Sequence, residues 1–163
     1  LMDRNISLLA YHLPLDAHPE VGNNATLGSK LGLVQTGSVG DANLICYGSL
    51  EQPCNLAAFA KRVDAALQRT SLVIGDLDKK LKTVAWCTGA GQSYMEEAIS
   101  LGVDAFISGE ISEQTTHLAH ESGVAYIAAG HHATERYGVQ ALGEHLAKKF
   151  ALEHEFLDLY NPV

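Results

Sequence analysis

Val124-Ala125-Tyr126-Ile127-Ala128-Ala129 is followed at once by Gly130-His131-His132-Ala133-Thr134-Glu135-Arg136, and this stretch indicates the fold most directly. The apolar run predicts a short buried strand, and the polar residues after it predict the start of a helix. A strand that leads into a helix is the repeating unit of α/β proteins. His131 and Glu135 would share one face where the strand gives way to the helix, which is where α/β proteins usually carry their chemistry.

The pair His131 and Glu135 has two interpretations. Histidine and glutamate at this spacing are typical of metal ligands or of an acid and base arrangement. Alternatively, the pair is an ordinary helix start, where the positive end of the helix dipole favours a carboxylate. These residues alone leave both interpretations open.

A second segment near the start of the chain has the same organisation. Residues 6–11 predict another strand, which is followed by His12-Leu13-Pro14-Leu15-Asp16-Ala17-His18-Pro19. Pro14 and Pro19 predict a rigid loop without a helix, which would hold Asp16 toward a site. The alternative is a polar surface loop whose histidines face water.

Strand-like and helix-like segments alternate along the rest of the chain, which predicts an α/β fold with helices packed on the faces of a sheet. Four glycines between residues 28 and 40 predict an irregular segment. The predicted strands are at about 43–48, 72–74, 83–87, 104–107 and 155–159, and the predicted helices are at about 24–31, 56–68, 94–101, 112–120 and 134–150.

Two further polar segments directly follow predicted strands. Glu110 is a candidate general base or a partner that orients a ligand, with helix capping as the alternative. The turn Thr88-Gly89-Ala90-Gly91 predicts either a tight crossover or backbone N–H groups close to an anion. It has neither the lysine of a phosphate-binding loop nor the full dinucleotide-binding spacing. His117 and His120 are more simply a surface pair.

Composition narrows the class of protein. The 163 residues are 47% hydrophobic and 18% charged, which is typical of a globular α/β protein. A formal net charge of −8 without clustered lysine and arginine argues against a nucleic-acid partner. No apolar run approaches the ~20 residues that span a bilayer. Three cysteines without paired spacing and the lack of a leader-like start predict a reducing, cytoplasmic location.

Four segments together resemble the Nif-three-like family, whose members are dinuclear-metal proteins often labelled GTP cyclohydrolase I type 2 homologues. The segments are HLPLDAHPEVGNN at 12–24, CTGAGQS at 87–93, DAFISGEISEQT at 104–115 and AAGHHATERYG at 128–138. The resemblance spans most of the chain. It implies a pair of divalent metal ions held between two α/β lobes, with Asp16, His131 and Glu135 at the matching ligand positions.

The resemblance also implies how the lobes and subunits are arranged. One lobe would comprise residues 25–129, and the other, incomplete in this chain, would comprise residues 1–24 and 130–163. Family members are longer and carry an adjacent pair of histidine ligands in an N-terminal segment that has no counterpart here, so we expect a fragment. They form ring-shaped homo-oligomers, commonly hexamers.

Metal-dependent hydrolysis of a small substrate, for example a purine nucleotide, is the function that the resemblance implies. Zinc, manganese, iron and nickel are all compatible with the nitrogen and oxygen ligands. Glu110 or His132 would transfer protons, and His12 and His18 would orient Asp16.

A non-catalytic metal-binding or regulatory oligomeric scaffold is the alternative function. A nucleotide-specific enzyme needs groups that bind phosphate, and few basic residues lie near the motifs. Arg136 is the exception.

Overall fold

A single six-stranded sheet organises the computed structural model, which describes all residues from 1 to 163. Its strands are β1 (Leu33–Val39), β2 (Ile45–Asn55), β3 (Leu72–Ile74), β4 (Lys80–Cys87), β5 (Ala105–Ser108) and β6 (Ala125–Ala128). They lie in the order β1-β2-β4-β5-β6-β3. β4, β5 and β6 are parallel, and the other neighbours are antiparallel.

Seven α-helices surround the sheet, which confirms the predicted α/β class. They are α1 (Leu13–Asp16), α2 (Asn23–Lys30), α3 (Leu56–Leu67), α4 (Met95–Ser100), α5 (Glu113–Ser122), α6 (His131–Glu135) and α7 (Tyr137–Phe150). Short 3-10 helices occupy Met2–Arg4, Asp41–Asn43 and Gly91–Tyr94. No helix combines the length and the apolar character needed to cross a membrane.

The apolar core lies on both faces of the sheet because the central strands are covered on each side. Ile107 and Ile127 point to the face that α2 and α3 cover, whereas Phe106 and Tyr126 point to the face of α4 and α5. The rings of Phe106 and Tyr126 meet edge to face, with centroids 5.6 Å apart. Strands buried on both faces are apolar without alternation, which is the pattern of the sequence.

The apolar stripe of α3 was predicted from its spacing and is buried in the core. It comprises Leu56, Phe59, Ala60, Val63 and Leu67. The side chain of Asn55 caps the helix by accepting a hydrogen bond of 2.9 Å from Ala58 N–H, as the sequence predicts.

The parallel strands bring their carboxyl ends to the same edge of the sheet. Cys87 pairs in register with Ser108, and Ser108 pairs with Ala128. The turn after β4, Glu110 after β5 and α6 after β6 therefore start side by side. This topology sets the location of the candidate site.

Two predicted strands are wrong. Residues 6–11 and 155–159 have no regular secondary structure, and their apolar side chains are exposed, with Leu8 and Leu157 each 74% accessible. A strand is stable only when its backbone pairs with a neighbour, and the edge strands β1 and β3 pair with neither segment.

One strand and two helices also differ from their predictions. β1 forms where four glycines predicted an irregular segment, and Gly37 leaves room there for the Tyr47 ring. Pro14 lies in the first turn of α1, where its missing N–H breaks no hydrogen bond. The predicted helix at 134–150 is two helices, α6 and α7, which meet at Arg136.

The division into two lobes stays a prediction. All six strands lie between residues 33 and 128, and α1 and α7 pack on α2.

Candidate metal centre

Glycines allow the three loops at the carboxyl edge of the parallel strands to pack against one another. Gly109 N–H donates to the Gly89 carbonyl at 2.9 Å, and Gly130 N–H donates to the Gly109 carbonyl at 2.8 Å. A Cβ atom on Gly109 would lie 2.7 Å from the Cα of His131. Any larger residue would therefore push the loops apart.

The surroundings of Gly89 show why the turn after β4 needs a glycine at this position. Its φ is +64°, and a Cβ atom there would overlap Oε1 of Glu135. Its N–H donates to Oγ1 of Thr134 at 3.0 Å. The turn thus provides a wall against which the Glu135 carboxylate packs, which favours the crossover interpretation over an anion-binding one.

His131 lies between two carboxylates. Its Nδ1 is 2.6 Å from Oε1 of Glu110, and its Nε2 is 2.9 Å from Oε2 of Glu135. Glu135 reaches the ring because it is four residues further along α6. Glu110 reaches it from the end of the neighbouring strand β5, so sheet topology and helix periodicity together form the cluster.

Glu110 is itself fixed from two sides. Its Oε2 accepts a hydrogen bond of 3.2 Å from Nε2 of Gln92, and its backbone carbonyl accepts one of 2.5 Å from the Tyr126 hydroxyl. A carboxylate held in this way fixes the orientation of the imidazole that it contacts.

Asp16 is buried at the end of α1, with 6% of its surface accessible. The Asn23 side chain donates to its Oδ1 at 2.7 Å and accepts from Gly138 N–H at 2.7 Å. Asn23 thereby positions Asp16 against α7. Asn23 itself is the first residue of α2, after the cap position Gly22.

A cavity of about 220 Å³ brings the predicted ligands together. Asp16, His131 and Glu135 all line it, and so does His12, which was expected only to orient Asp16. His12 and Asp16 on one segment thus repeat the four-residue spacing of His131 and Glu135 on the other. No lysine or arginine lines the cavity.

Burial, hydrogen bonds and neighbouring charges raise the pKa values of three groups in this cluster. Burial raises the pKa of Glu135, and the nearby Asp16 carboxylate raises it further. The hydrogen bond to Glu110 raises the pKa of His131. Burial, with the Asp16 and Glu135 carboxylates nearby, raises the pKa of the Cys87 thiol to about 12. Burial is the main cause of the raised pKa values of Glu135 and Cys87, and the nearby carboxylates add to it.

The residues present fit a divalent cation in their chemistry. Imidazole nitrogen and carboxylate oxygen are the donors that zinc and similar ions prefer, and a cation would relieve the repulsion between Asp16 and Glu135. The side chains do not form a preassembled group of three ligands around one point. Instead, Nε2 of His131 contacts the carboxylate of Glu135.

Two predicted site residues lie elsewhere. The His132 side chain points to the other side of α6, where Nε2 is 3.9 Å from Oδ1 of Asp158. Nδ1 of His18 accepts hydrogen bonds of 3.2 Å from the N–H groups of Glu20 and Val21. His18 stabilises its own turn and does not line the cavity of Asp16 and His131. Adjacent residues on a helix point about 100° apart, which separates His132 from His131.

Comparison with known proteins gives consistent matches. The sequence profile of the family described as Duf34/NIF3 (NGG1p interacting factor 3) matches residues 1–162. A protein of Allochromatium vinosum named GTP cyclohydrolase 1 type 2 homolog is 56% identical over all of this chain, which spans 65% of that protein. One of the same name from Pseudomonas aeruginosa is 53% identical, with 66% of its length covered. The chain thus spans about two thirds of these relatives.

Solved structures share the fold. A protein titled ybgI, of unknown function, is similar with a TM-score of 0.94 at 46% identity, over 99% of this chain and 65% of its own. The protein TTHA1606 from Thermus thermophilus is similar with a TM-score of 0.83 at 35% identity, over 96% of this chain and 62% of its own.

Proposed function

The chain belongs to the Duf34/NIF3 family, and from that premise we propose that it binds divalent metal ions through Asp16, His131 and Glu135. The observation that carries this proposal is the cavity at the carboxyl edge of the sheet. Two histidine and carboxylate pairs face it, and no lysine or arginine neutralises them. A cation is the ligand that such a cavity favours.

His12 is a further candidate ligand in this proposal. It lines the same cavity as Asp16 and Glu135. A pair of divalent ions needs more donors than three side chains offer, and His12 adds an imidazole.

Glu110 is a positioning residue in this proposal. It holds Nδ1 of His131 at 2.6 Å, which leaves Nε2 of the ring to face Glu135 and the cavity. A histidine that contacts a carboxylate through one nitrogen is fixed in its tautomer and is a better ligand through the other.

Hydrolysis of a small substrate, for example a purine nucleotide, is the proposed activity. Bound divalent ions would supply a water of lowered pKa and a Lewis acid. The name of the relatives, GTP cyclohydrolase 1 type 2 homolog, supports testing a purine nucleotide first. From the resemblance we also propose a homo-oligomeric ring and a cytoplasmic location.

A metal-binding scaffold without turnover is the second candidate. The observation that favours it is the lack of lysine and arginine around the cavity, because a nucleotide triphosphate would bring its own negative charge to two carboxylates. Metal-loaded protein incubated with GTP separates the two, since hydrolysis gives a product that chromatography detects. Metal binding without turnover supports the scaffold.

Glu135→Gln tests the metal site itself. Glutamine keeps the shape and one oxygen but removes the charge that attracts a divalent ion, so the rise in Tm on adding zinc or manganese should be lost. The fold should persist, since glutamine has nearly the same volume and keeps an oxygen that can face Nε2 of His131.

Glu113→Gln is the matched control. Glu113 also lies four residues from a histidine, His117, but both side chains are exposed at 92% and 69%. Glu113→Gln should leave the metal-induced rise in Tm unchanged. An unchanged shift in Glu135→Gln as well would reject Glu135 as a ligand.

A further inference from the structure

A second pocket lies on the other side of α6 from the metal cavity and has the opposite charge. We call it the cationic pocket. It encloses about 430 Å³, and its polar walls include Arg69, His132, Arg136, Asp158, Tyr160 and Asn161. In a chain of net charge −8, two arginines and a histidine around one pocket form an exceptional concentration of positive groups.

Positively charged side chains outnumber negatively charged ones in the walls of this pocket. Asp158 is the sole carboxylate in its walls, and it pairs with Arg136 at 2.7 Å. Arg69 forms no ion pair, and its guanidinium donates only to the carbonyl of Pro162. The side chains that line the pocket thus include two guanidinium groups and one carboxylate.

Three buried nitrogen atoms in the pocket have no hydrogen-bond partner. They are Nε of Arg69, Nε2 of His132 and Nε of Arg136. Buried polar groups in proteins are almost always paired, so unpaired nitrogen atoms on three neighbouring side chains call for a missing partner. A negatively charged acceptor is the kind of partner that such nitrogen atoms take.

The backbone holds the pocket in place. The Arg69 side chain crosses the turn before α6, and a Cβ atom on Gly130 would lie 2.5 Å from its Nε. His132 and Arg136 lie four residues apart, so they share one side of α6 as it continues into α7. The positions of these cationic groups are therefore set by the same turn that sets His131.

We propose that the cationic pocket binds the phosphoryl group of a small phosphorylated ligand. A phosphate monoester carries close to two negative charges at neutral pH and three acceptor oxygens, which suit a pocket that contains two guanidinium groups and one carboxylate. Guanidinium groups bind phosphate with two parallel hydrogen bonds, which favours arginine at such a site. The inference does not rest on metal binding, because no group that lines the metal cavity takes part.

The test uses inorganic phosphate, ribose 5-phosphate and GMP as probes, with guanosine and acetate for comparison. Calorimetry and the rise in Tm should show binding of at least one phosphorylated probe and none of guanosine. Binding of GMP alone identifies a nucleotide as the source of the phosphoryl group, and binding of all three identifies the phosphoryl group itself. Equal or tighter binding of acetate, or no binding of any phosphorylated probe, would overturn the proposal.

Arg69→Gln should weaken binding of the phosphorylated probe by at least about tenfold, as expected for the loss of a charge-assisted hydrogen bond. Arg69→Lys keeps the charge and most of the stem that packs on Gly130, so it should fold and still bind more weakly than the parent. Arg62→Gln removes one positive charge from an exposed position on α3 and should not change binding. Equal affinities of Arg69→Gln and Arg62→Gln would contradict the proposal.

Glu135→Gln separates this inference from the proposed function. It should abolish the metal-induced rise in Tm and leave phosphate binding intact, whereas Arg69→Gln should have the reverse effect. Loss of both properties in either variant would mean that the two pockets are one site, which would also overturn the proposal.

Discussion

The two sides of α6 differ in charge although one short segment forms both. That segment is His131–Glu135 with Arg136 directly after it. On one side, His131 and Glu135 face a cavity that they share with Asp16 and His12. On the other, His132 and Arg136 face a pocket that contains a second arginine. The helix repeats every 3.6 residues, so each residue shares a side with the one four positions on, not with its neighbour. Two adjacent histidines can therefore belong to different sites.

Gly89→Ala should disrupt the acidic side most strongly. The new Cβ would overlap the Glu135 carboxylate and would also be strained at a φ of +64°. We expect the metal-induced rise in Tm to be lost and the free energy of unfolding to fall by more than the ~1 to 2 kcal/mol that a left-handed alanine costs.

Gly102→Ala is the matched control for that substitution. Gly102 has nearly the same φ, +68°, but nothing lies within 4 Å of a Cβ there. Gly102→Ala should lose only the stability that backbone strain costs, and its rise in Tm on adding metal should equal that of the parent protein. Equal losses of stability in both variants would mean that the carboxylate moves away at little cost and that the close approach is unimportant.

His131→Gln compared with His132→Gln tests the separation of the two sides directly. Removal of a metal-binding imidazole should lower metal affinity by about ten- to a hundredfold or more, because even partners of ligands have effects of that size. His132→Gln should leave metal affinity within about twofold of the parent value, since the His132 side chain contacts Asp158 and does not line the metal cavity. Calorimetric titration with zinc measures both. Similar losses in the two variants would place both histidines in one site.

The pH dependence of stability should be the smallest effect and should arise from the acidic side. Burial and Asp16 raise the pKa of Glu135 above 4.5, and Glu110 raises that of His131 above 6.5. A group whose pKa is higher in the folded state contributes stability that is present below its unfolded pKa and is lost as the pH rises through its folded pKa. In metal-free protein, stability should therefore fall as the pH rises above 4.5 through Glu135 and above 6.5 through His131.

Divalent metal should reverse this trend, because it competes with protons for the same groups. The rise in Tm on adding metal should grow from acid to neutral pH. Without metal, the difference in Tm between the parent protein and Glu135→Gln should change over the same pH range. The effect should be modest, since the side chains of His131 and Glu135 are 38% and 28% exposed and solvent screens their charges. A metal-induced shift that does not vary with pH would contradict the assignment.

Local pattern predicted most of the sheet and helices correctly. β3, β4, β5 and β6 lie within a few residues of their predicted positions because buried strands are continuous apolar runs. The strands predicted at 6–11 and 155–159 failed for a related reason. Both runs contain the apolar residues of a strand, but pattern carries no information about whether a pairing partner exists.

The site residues were likewise predicted where they depend on local pattern and missed where they depend on packing. His131 and Glu135 share a helix side by local periodicity, and the structure places them together. Asn23 was not recognised as the partner of Asp16, because that contact depends on how α1 and α2 pack. The two asparagines after the Asp16 loop were the only signal.

The sequence by itself determined the α/β class, the strand-to-helix turn that carries His131 and Glu135, and the family, because each depends on short-range pattern and on motifs. Only the tertiary structure decided that Asp16 and His12 meet that pair, that Glu110 contacts His131 across neighbouring strands, and that His132 joins Arg69. The physical reason is that strand order and register bring together residues far apart in the chain, and helix geometry then directs each side chain to one side or the other.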